Sequence, residues 1–174
     1  MPDDIEALVQ QAERGDAMAQ ARLAFHLCRQ DHPARDASAA AAWYRRAAQQ
    51  GLAAAQYNLA DMLLRGDGVE KDEAAALGWF LQAAEQGDVD AQFNVALIYD
   101  QGRGVEQDVE SAFAWFLRAA EAGSARAQYD VAVMYHQGRG VRRDAESARR
   151  WFELAAEQGV KRARDMLAEF EMEQ

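Results

Sequence analysis

The stretch that decides the fold is Asp72-Glu73-Ala74-Ala75-Ala76-Leu77-Gly78-Trp79-Phe80-Leu81-Gln82-Ala83-Ala84-Glu85-Gln86-Gly87. Ala76, Trp79, Phe80, Ala83 and Ala84 recur at the i, i+3, i+4, i+7, i+8 spacing of one helix face. Asp72 is a good N-cap, and Gly87 follows the last turn, where a left-handed residue ends a helix without a Cβ penalty. On this face the tryptophan is expected to fill volume and the alanines to let a neighbouring helix approach.

The same stretch recurs along the chain. Trp43, Trp79, Trp115 and Trp151 are each 36 residues apart, and each is followed by Tyr44, Phe80, Phe116 or Phe152. Asp36, Asp108 and Asp144 repeat the start; Gly51, Gly123 and Gly159 repeat the end, and Gly15 closes a degenerate earlier copy. We call this element the Trp helix. After a short turn comes a second pattern, with Ala-Gln at 19–20, 55–56, 91–92 and 127–128, and Asp16, Asp88 and Ser124 as candidate caps. This is the Ala-Gln helix. A loop of the form Gly-x-Gly-Val then returns the chain at 66–69, 102–105 and 138–141, its valine expected to plug the gap between helix pairs.

The pattern predicts an all-α chain of about ten helices in five antiparallel pairs. One pair cannot hide its apolar face alone, so stacking must supply the core and the end units must differ. They do. Ala7 stands where the first unit would carry tryptophan, and its loop is Asp31-His32-Pro33-Ala34. The last helix, near 161–172, has Ala163-Arg164 for Ala-Gln and keeps Met166, Leu167 and Phe170. Both ends read as caps, which predicts a chain complete in itself. The boundaries expected are one domain over 1–174: a capping repeat at 1–35, full repeats at 36–71, 72–107 and 108–143, and a closing repeat with capping helix at 144–174.

Composition narrows function. The chain has 174 residues, a net charge of -10 and half its residues apolar, so it can bury a core. A sequence pI of 4.8 argues against a general nucleic-acid binder. One cysteine, Cys28, rules out an internal disulfide framework, and no apolar run approaches a membrane span. The expected location is cytoplasmic, or periplasmic if a signal has been removed.

These residues resemble the Sel1-like repeat family, a relative of the tetratricopeptide repeats. Trp79-Phe80, Ala83-Ala84, Gly87, Ala91-Gln92-Phe93, Val95-Ala96, Tyr99, Gly102-x-Gly104-Val105 and Asp108 match its pattern in order. One departure is alanine (Ala24, Ala60, Ala96, Ala132) for the usual small glycine of the second helix. The resemblance implies a right-handed α/α superhelix, a solenoid with a concave inner surface. It also implies a non-enzymatic adaptor that binds another protein or peptide segment, with a bacterial regulator and a toxin-neutralising partner among its roles. The alternative is a β-lactamase-like hydrolase, as in a cysteine-rich branch of the family whose paired cysteines this chain lacks.

No chemical constellation stands out. His26, His32 and His136 are scattered, and a zinc site needs four convergent ligands. Cys28 has no visible base partner. The Gly-x-Gly loops follow helices and lack Gly-Lys-Ser/Thr, so they are turns rather than phosphate cradles. Asp67, Glu70 and Asp72 lack the calcium-loop pattern and read as solvated capping acids. No catalytic residue, cofactor or metal is expected. Arg139, Arg142, Arg143, Arg149 and Arg150, with Asp144 and Glu146 among them, form either a solvated face or an electropositive edge that docks an acidic partner.

By analogy with related solenoids, the Ala-Gln helices should line the concave side. Three ladders follow by register: Ala21, Tyr57, Phe93, Tyr129; Phe25, Asp61, Leu97, Val133; and Cys28, Leu64, Asp100, His136. Asp90, Arg126, Arg65, Gln101 and Gln137 form a polar fringe. The partner-binding residues expected are Phe25, Tyr57, Asp61, Leu64, Phe93, Leu97, Asp100, Tyr129, Val133 and His136. Tyr57, Phe93 and Tyr129 have a core role as the competing explanation. The partner expected is apolar with some basic residues. Neither nucleic acid nor membrane is expected, and the chain should be a monomer or weak homodimer.

Overall fold

The structure, a computed structural model, describes residues 2–29 and 35–172. The Asp31–Ala34 loop with His32 lies outside the described residues, as does the Phe170 side chain. Among the described residues there are ten α-helices: α1 Pro2–Glu13, α2 Ala17–Cys28, α3 Ala37–Gln49, α4 Ala53–Arg65, α5 Glu73–Glu85, α6 Val89–Gln101, α7 Val109–Glu121, α8 Ala125–Gln137, α9 Ala145–Glu157 and α10 Lys161–Met172. The all-α expectation holds, with Trp helices at α3, α5, α7 and α9. The chain forms two compact units, Met1–Asp88 and Val89–Gln174, with α1–α5 in the first and α6–α10 in the second. Within each unit every helix packs on its neighbours in sequence.

The aspartates that start the Trp helices do two jobs. Their carboxylates accept from backbone N–H groups three residues on: Ala39 at 2.9 Å for Asp36, Ala75 at 2.9 Å for Asp72, Ser111 at 3.0 Å for Asp108 and Ser147 at 3.2 Å for Asp144. Their own N–H groups reach back to the preceding Ala-Gln helix, donating to the carbonyls of Leu27, Leu63, Tyr99 and Tyr135 at 2.9–3.0 Å. The Ser111 hydroxyl and N–H hold the Asp108 carboxyl below the usual carboxylate range, and Ser147 does the same for Asp144. This backbone lock explains a bias in the packing. Within each unit, an Ala-Gln helix packs more closely on the Trp helix that follows it (α2–α3, α4–α5, α8–α9) than on the helix before it.

The return loop needs both its glycines. Gly66 and Gly138 cap α4 and α8 in the left-handed region, at φ 73° and 71°. The second glycine lies against the start of the previous Trp helix. A Cβ on Gly68 would sit 2.3 Å from the Ala37 carbonyl carbon, and one on Gly140 would sit 2.4 Å from the Val109 oxygen. Val141 packs on the core of the second unit, in the plugging role expected of it.

The structure corrects the place of the tryptophan. The residue after it is the buried one: Tyr44, Phe80, Phe116 and Phe152 are at most 3% exposed, whereas all four tryptophans are half-buried. One step along a helix rotates a side chain by about 100°, so only one of the two aromatics can face the core centre. Trp43 instead packs on the small cluster of Ala12, Ala19 and Leu23, and the Arg46 guanidinium lies 4.5 Å over its ring. Arg118 covers Trp115 in the same way, at 4.6 Å.

The Ala-Gln motif also finds its reason. Gln20, Gln56, Gln92 and Gln128 are buried. The amides of Gln20, Gln56 and Gln128 donate to the carbonyls of Ala12, Ala48 and Ala120, at 3.0, 3.2 and 3.3 Å, in the helix before. Their oxygens accept from Gln50, Gln86 and Gln158 at 2.7–2.8 Å. One side chain thus staples the end of a Trp helix to the start of the Ala-Gln helix on one side and the next Trp helix on the other.

Candidate functional site

Each unit contains an open pocket, and the two overlap at three positions of the repeat. In the first unit an open pocket of about 590 Å³ is lined by Ile5 and Leu8 of α1, Ala21, Arg22, Phe25 and His26 of α2, Tyr44 of α3, Ala54 and Asn58 of α4, and Arg29. In the second unit an open pocket of about 310 Å³ is lined by Leu97 and Asp100 of α6, Phe116 of α7, Asp130, Val133, Met134 and Gln137 of α8, and Arg139 of the return loop. Phe25 and Leu97 occupy equivalent positions, as do Tyr44 and Phe116, and Asn58 and Asp130. Both cavities therefore lie between successive Ala-Gln helices, over the buried aromatic of the Trp helix that joins them.

The expected partner-binding residues divide into two groups. Phe25, 60% exposed, lines the first cavity; Leu97, Asp100 and Val133 come together in the second. Tyr57, Phe93 and Tyr129 have structural work. Each ring packs on the buried aromatic of the next helix, at 5.5 Å from Phe80, 5.4 Å from Phe116 and 5.6 Å from Phe152. Asp61 forms an i,i+4 ion pair with Arg65 at 2.9 Å, and Leu64 and His136 are half-buried on α4 and α8.

The other candidates resolve into ordinary roles. The Cys28 thiol donates to the Phe25 carbonyl at 3.3 Å and lies 4.0 Å from the Tyr44 hydroxyl. Burial, reinforced by Cys28, pushes the Tyr44 phenol well above its usual range, so it offers no base at neutral pH. Asp67 is held by Arg35 through both carboxylate oxygens, at 2.6 and 2.9 Å. The arginine edge is partly spoken for: Arg139 pairs with Asp100, Arg149 with Glu153 at 3.0 Å, and Arg150 with Glu146. Arg142 and Arg143 make no ion pair among the described residues. There too, no group of three or more His, Cys, Asp or Glu is placed to hold a metal, and no helix is long and apolar enough to cross a membrane.

Asp130 is the residue that sequence inspection passes over. Burial and the neighbouring Asp100 carboxylate raise its pKa from 3.8 to about 6, opposed by Arg139. The register carried a signal. Positions 58 and 94 are asparagines whose amides bond back to the carbonyls of Ala54 and Asp90, at 2.6 and 2.8 Å. A carboxylate at the same position cannot make that bond.

The Sel1 repeat family model matches residues 17–52, 53–88, 89–124 and 125–160. The chain is a Sel1 repeat protein. Each matched Sel1 repeat begins with an Ala-Gln helix and ends after the following Trp helix, so it coincides with the more closely packed pairs. Among solved structures, a protective antigen of uropathogenic Escherichia coli displaying the same fold is 39% identical over 91% of this chain, with a TM-score of 0.86. A Sel1 repeat protein from Oxalobacter formigenes is 36% identical over 94% of it, with a TM-score of 0.84. The chain spans 34% and 47% of their lengths. Cysteine rich protein B of Helicobacter pylori shares the fold at 18% identity, over 79% of this chain and 98% of its own, with a TM-score of 0.60. A search of curated proteins finds no match. Sel1 repeat proteins in general are protein–protein interaction scaffolds, and the repeat solenoid expected from the sequence is the fold of these neighbours.

Proposed function

We propose that this chain is a non-enzymatic scaffold that seats a segment of a partner protein against its Ala-Gln helices. The observation that carries this is the recurring cavity: each unit leaves an opening between successive Ala-Gln helices, largely apolar in the first unit and mixed apolar and charged in the second. That composition is typical of a recognition surface. Phe25 supports the reading, because an exposed aromatic beside a cavity is the kind of anchor that binding hot spots use. A single thiol with no disulfide to lose suits a reducing compartment such as the cytoplasm. Whether the chain serves as a regulator or neutralises a toxin follows from the segment it holds.

The test is selection of displayed random peptides on the full chain, followed by titration of the selected peptides against Phe25→Asp, Leu97→Asp and Val133→Asp variants shown to be folded by circular dichroism. Loss of binding in at least one variant is expected. Peptides that bind all three as tightly as the parent would remove these surfaces from the function. Nothing in the geometry favours a hydrolase, and a chromogenic β-lactam should turn over no faster than with heat-denatured protein.

A further inference from the structure

We propose that the cavity of the second unit is a socket for one basic side chain of the partner segment, a lysine or arginine flanked by an apolar residue, and that Arg139 fills the place of that cation until the partner arrives. The proposal rests on the scaffold reading above and specifies its chemistry.

Three observations converge. First, the cavity is walled by Leu97, Val133, Met134 and Phe116, and its ionisable groups are Asp100 from α6, Asp130 from α8 and Arg139 from the loop after α8; α7 supplies only Phe116. Two carboxylates face one guanidinium, so a second cation is electrostatically complementary, and the apolar walls suit the methylene stem of a lysine or arginine. Second, Arg139 pairs with Asp100 alone, and its side chain is 43% exposed on a loop. Such a partly exposed pair is weakly held and easily exchanged for another cation. Third, Asp130 works against the fold. Burial and Asp100 both oppose its ionisation, and two of its register mates, Asn58 and Asn94, complete a backbone hydrogen bond there, while the third is Arg22. A residue that the scaffold itself would prefer as asparagine is accounted for by an incoming positive charge, which relieves both the burial and the repulsion.

The experiment extends the peptide selection, with Asp130→Asn as the counter-selected protein. Peptides retained by the parent and rejected by the variant should carry a Lys or Arg next to an apolar residue at a fixed position. By fluorescence anisotropy with labelled copies of those peptides, Asp130→Asn and Asp100→Asn should each weaken binding by about tenfold, the usual scale for a charge-assisted contact. Arg139→Gln should strengthen it. Replacing the basic residue of the peptide by norleucine should abolish the difference between parent and Asp130→Asn. Binding should also weaken as pH falls from 7 to 5 and Asp130 takes up its proton. Selected peptides that depend on Leu97 and Val133 but bind Asp130→Asn as well as the parent would overturn the socket and leave the scaffold standing. Weaker binding to Arg139→Gln would overturn it too. An empty selection would count against both.

Discussion

The two cavities overlap at three positions of the repeat, 25/97, 44/116 and 58/130, and differ in chemistry. In the first unit the buried aromatic is Tyr44, whose hydroxyl lies near Cys28, and the wall carries Phe25, Arg22 and Asn58. In the second the aromatic is Phe116, and the wall carries Leu97, Asp130 and the Asp100–Arg139 pair. Arg139 has Asp67 as its counterpart in the first unit, where that carboxylate is taken by Arg35. The frame is the same in both: Asp N-cap, Gln staple, alanine seam. What changes is a handful of side chains at positions the frame does not use. A repeat can therefore alter its recognition chemistry unit by unit without altering its fold, because the core columns and the cavity columns are different residues.

The sharpest way to break this comparison is at the shared base. Tyr44→Ala and Phe116→Ala should each cost about 3–5 kcal/mol, as large buried aromatics do, measured by urea denaturation. A large loss in one unit and none in the other would mean the two cavities are not built alike.

Asp130→Asn separates the units next. Its folded pKa of about 6 lies above the unfolded value of 3.8, so the folded protein binds more protons between these values. Stability thus falls as pH rises through that window, and the full cost is present above about pH 6. Asp130→Asn should gain about 1–3 kcal/mol at pH 7.5, and the gain should shrink toward pH 4. Asn58→Asp in the first unit should lose the bond from the Asn58 amide to the Ala54 carbonyl, a loss that Arg22 and Arg29 across the cavity offset, so stability at neutral pH should change by less than about 1 kcal/mol. The staples should behave alike: Gln56→Leu and Gln128→Leu should each cost about 1–3 kcal/mol, since each removes two hydrogen bonds that tie neighbouring helices together. Smallest of all, Tyr44→Phe makes the base of the first cavity resemble the second. It should change stability by less than about 1 kcal/mol, because the sulfur contact it removes is long and weak.

Much of this was legible in residue order. The helices, their Asp starts and glycine ends, and the loops all follow from local rules, and the structure has them where the period puts them. The cavity was legible in part. Leu97, Asp100 and Val133 follow from register alone, but Tyr57, Phe93 and Tyr129 share the same helices and turn out to brace the core. Tyr129 and Val133 stand four residues apart, only about 40° around the helix, and a sequence does not say how far each helix is rotated toward its neighbour. Asp130 was visible as the one acid in a column of Arg22, Asn58 and Asn94, yet its significance depends on Asp100 and Arg139, which lie 30 and 9 positions away.

The sequence by itself determined the all-α class, the 36-residue period and the ends of the Trp helices, because capping, glycine termination and helical periodicity act over a few residues. Only the tertiary structure decided which of two adjacent aromatics is inside, that the glutamines staple three helices, and that a loop arginine closes on an aspartate of the helix pair before it. Those outcomes depend on how neighbouring helices are rotated and spaced against one another, and that is settled by packing among many side chains at once rather than by any one stretch of chain.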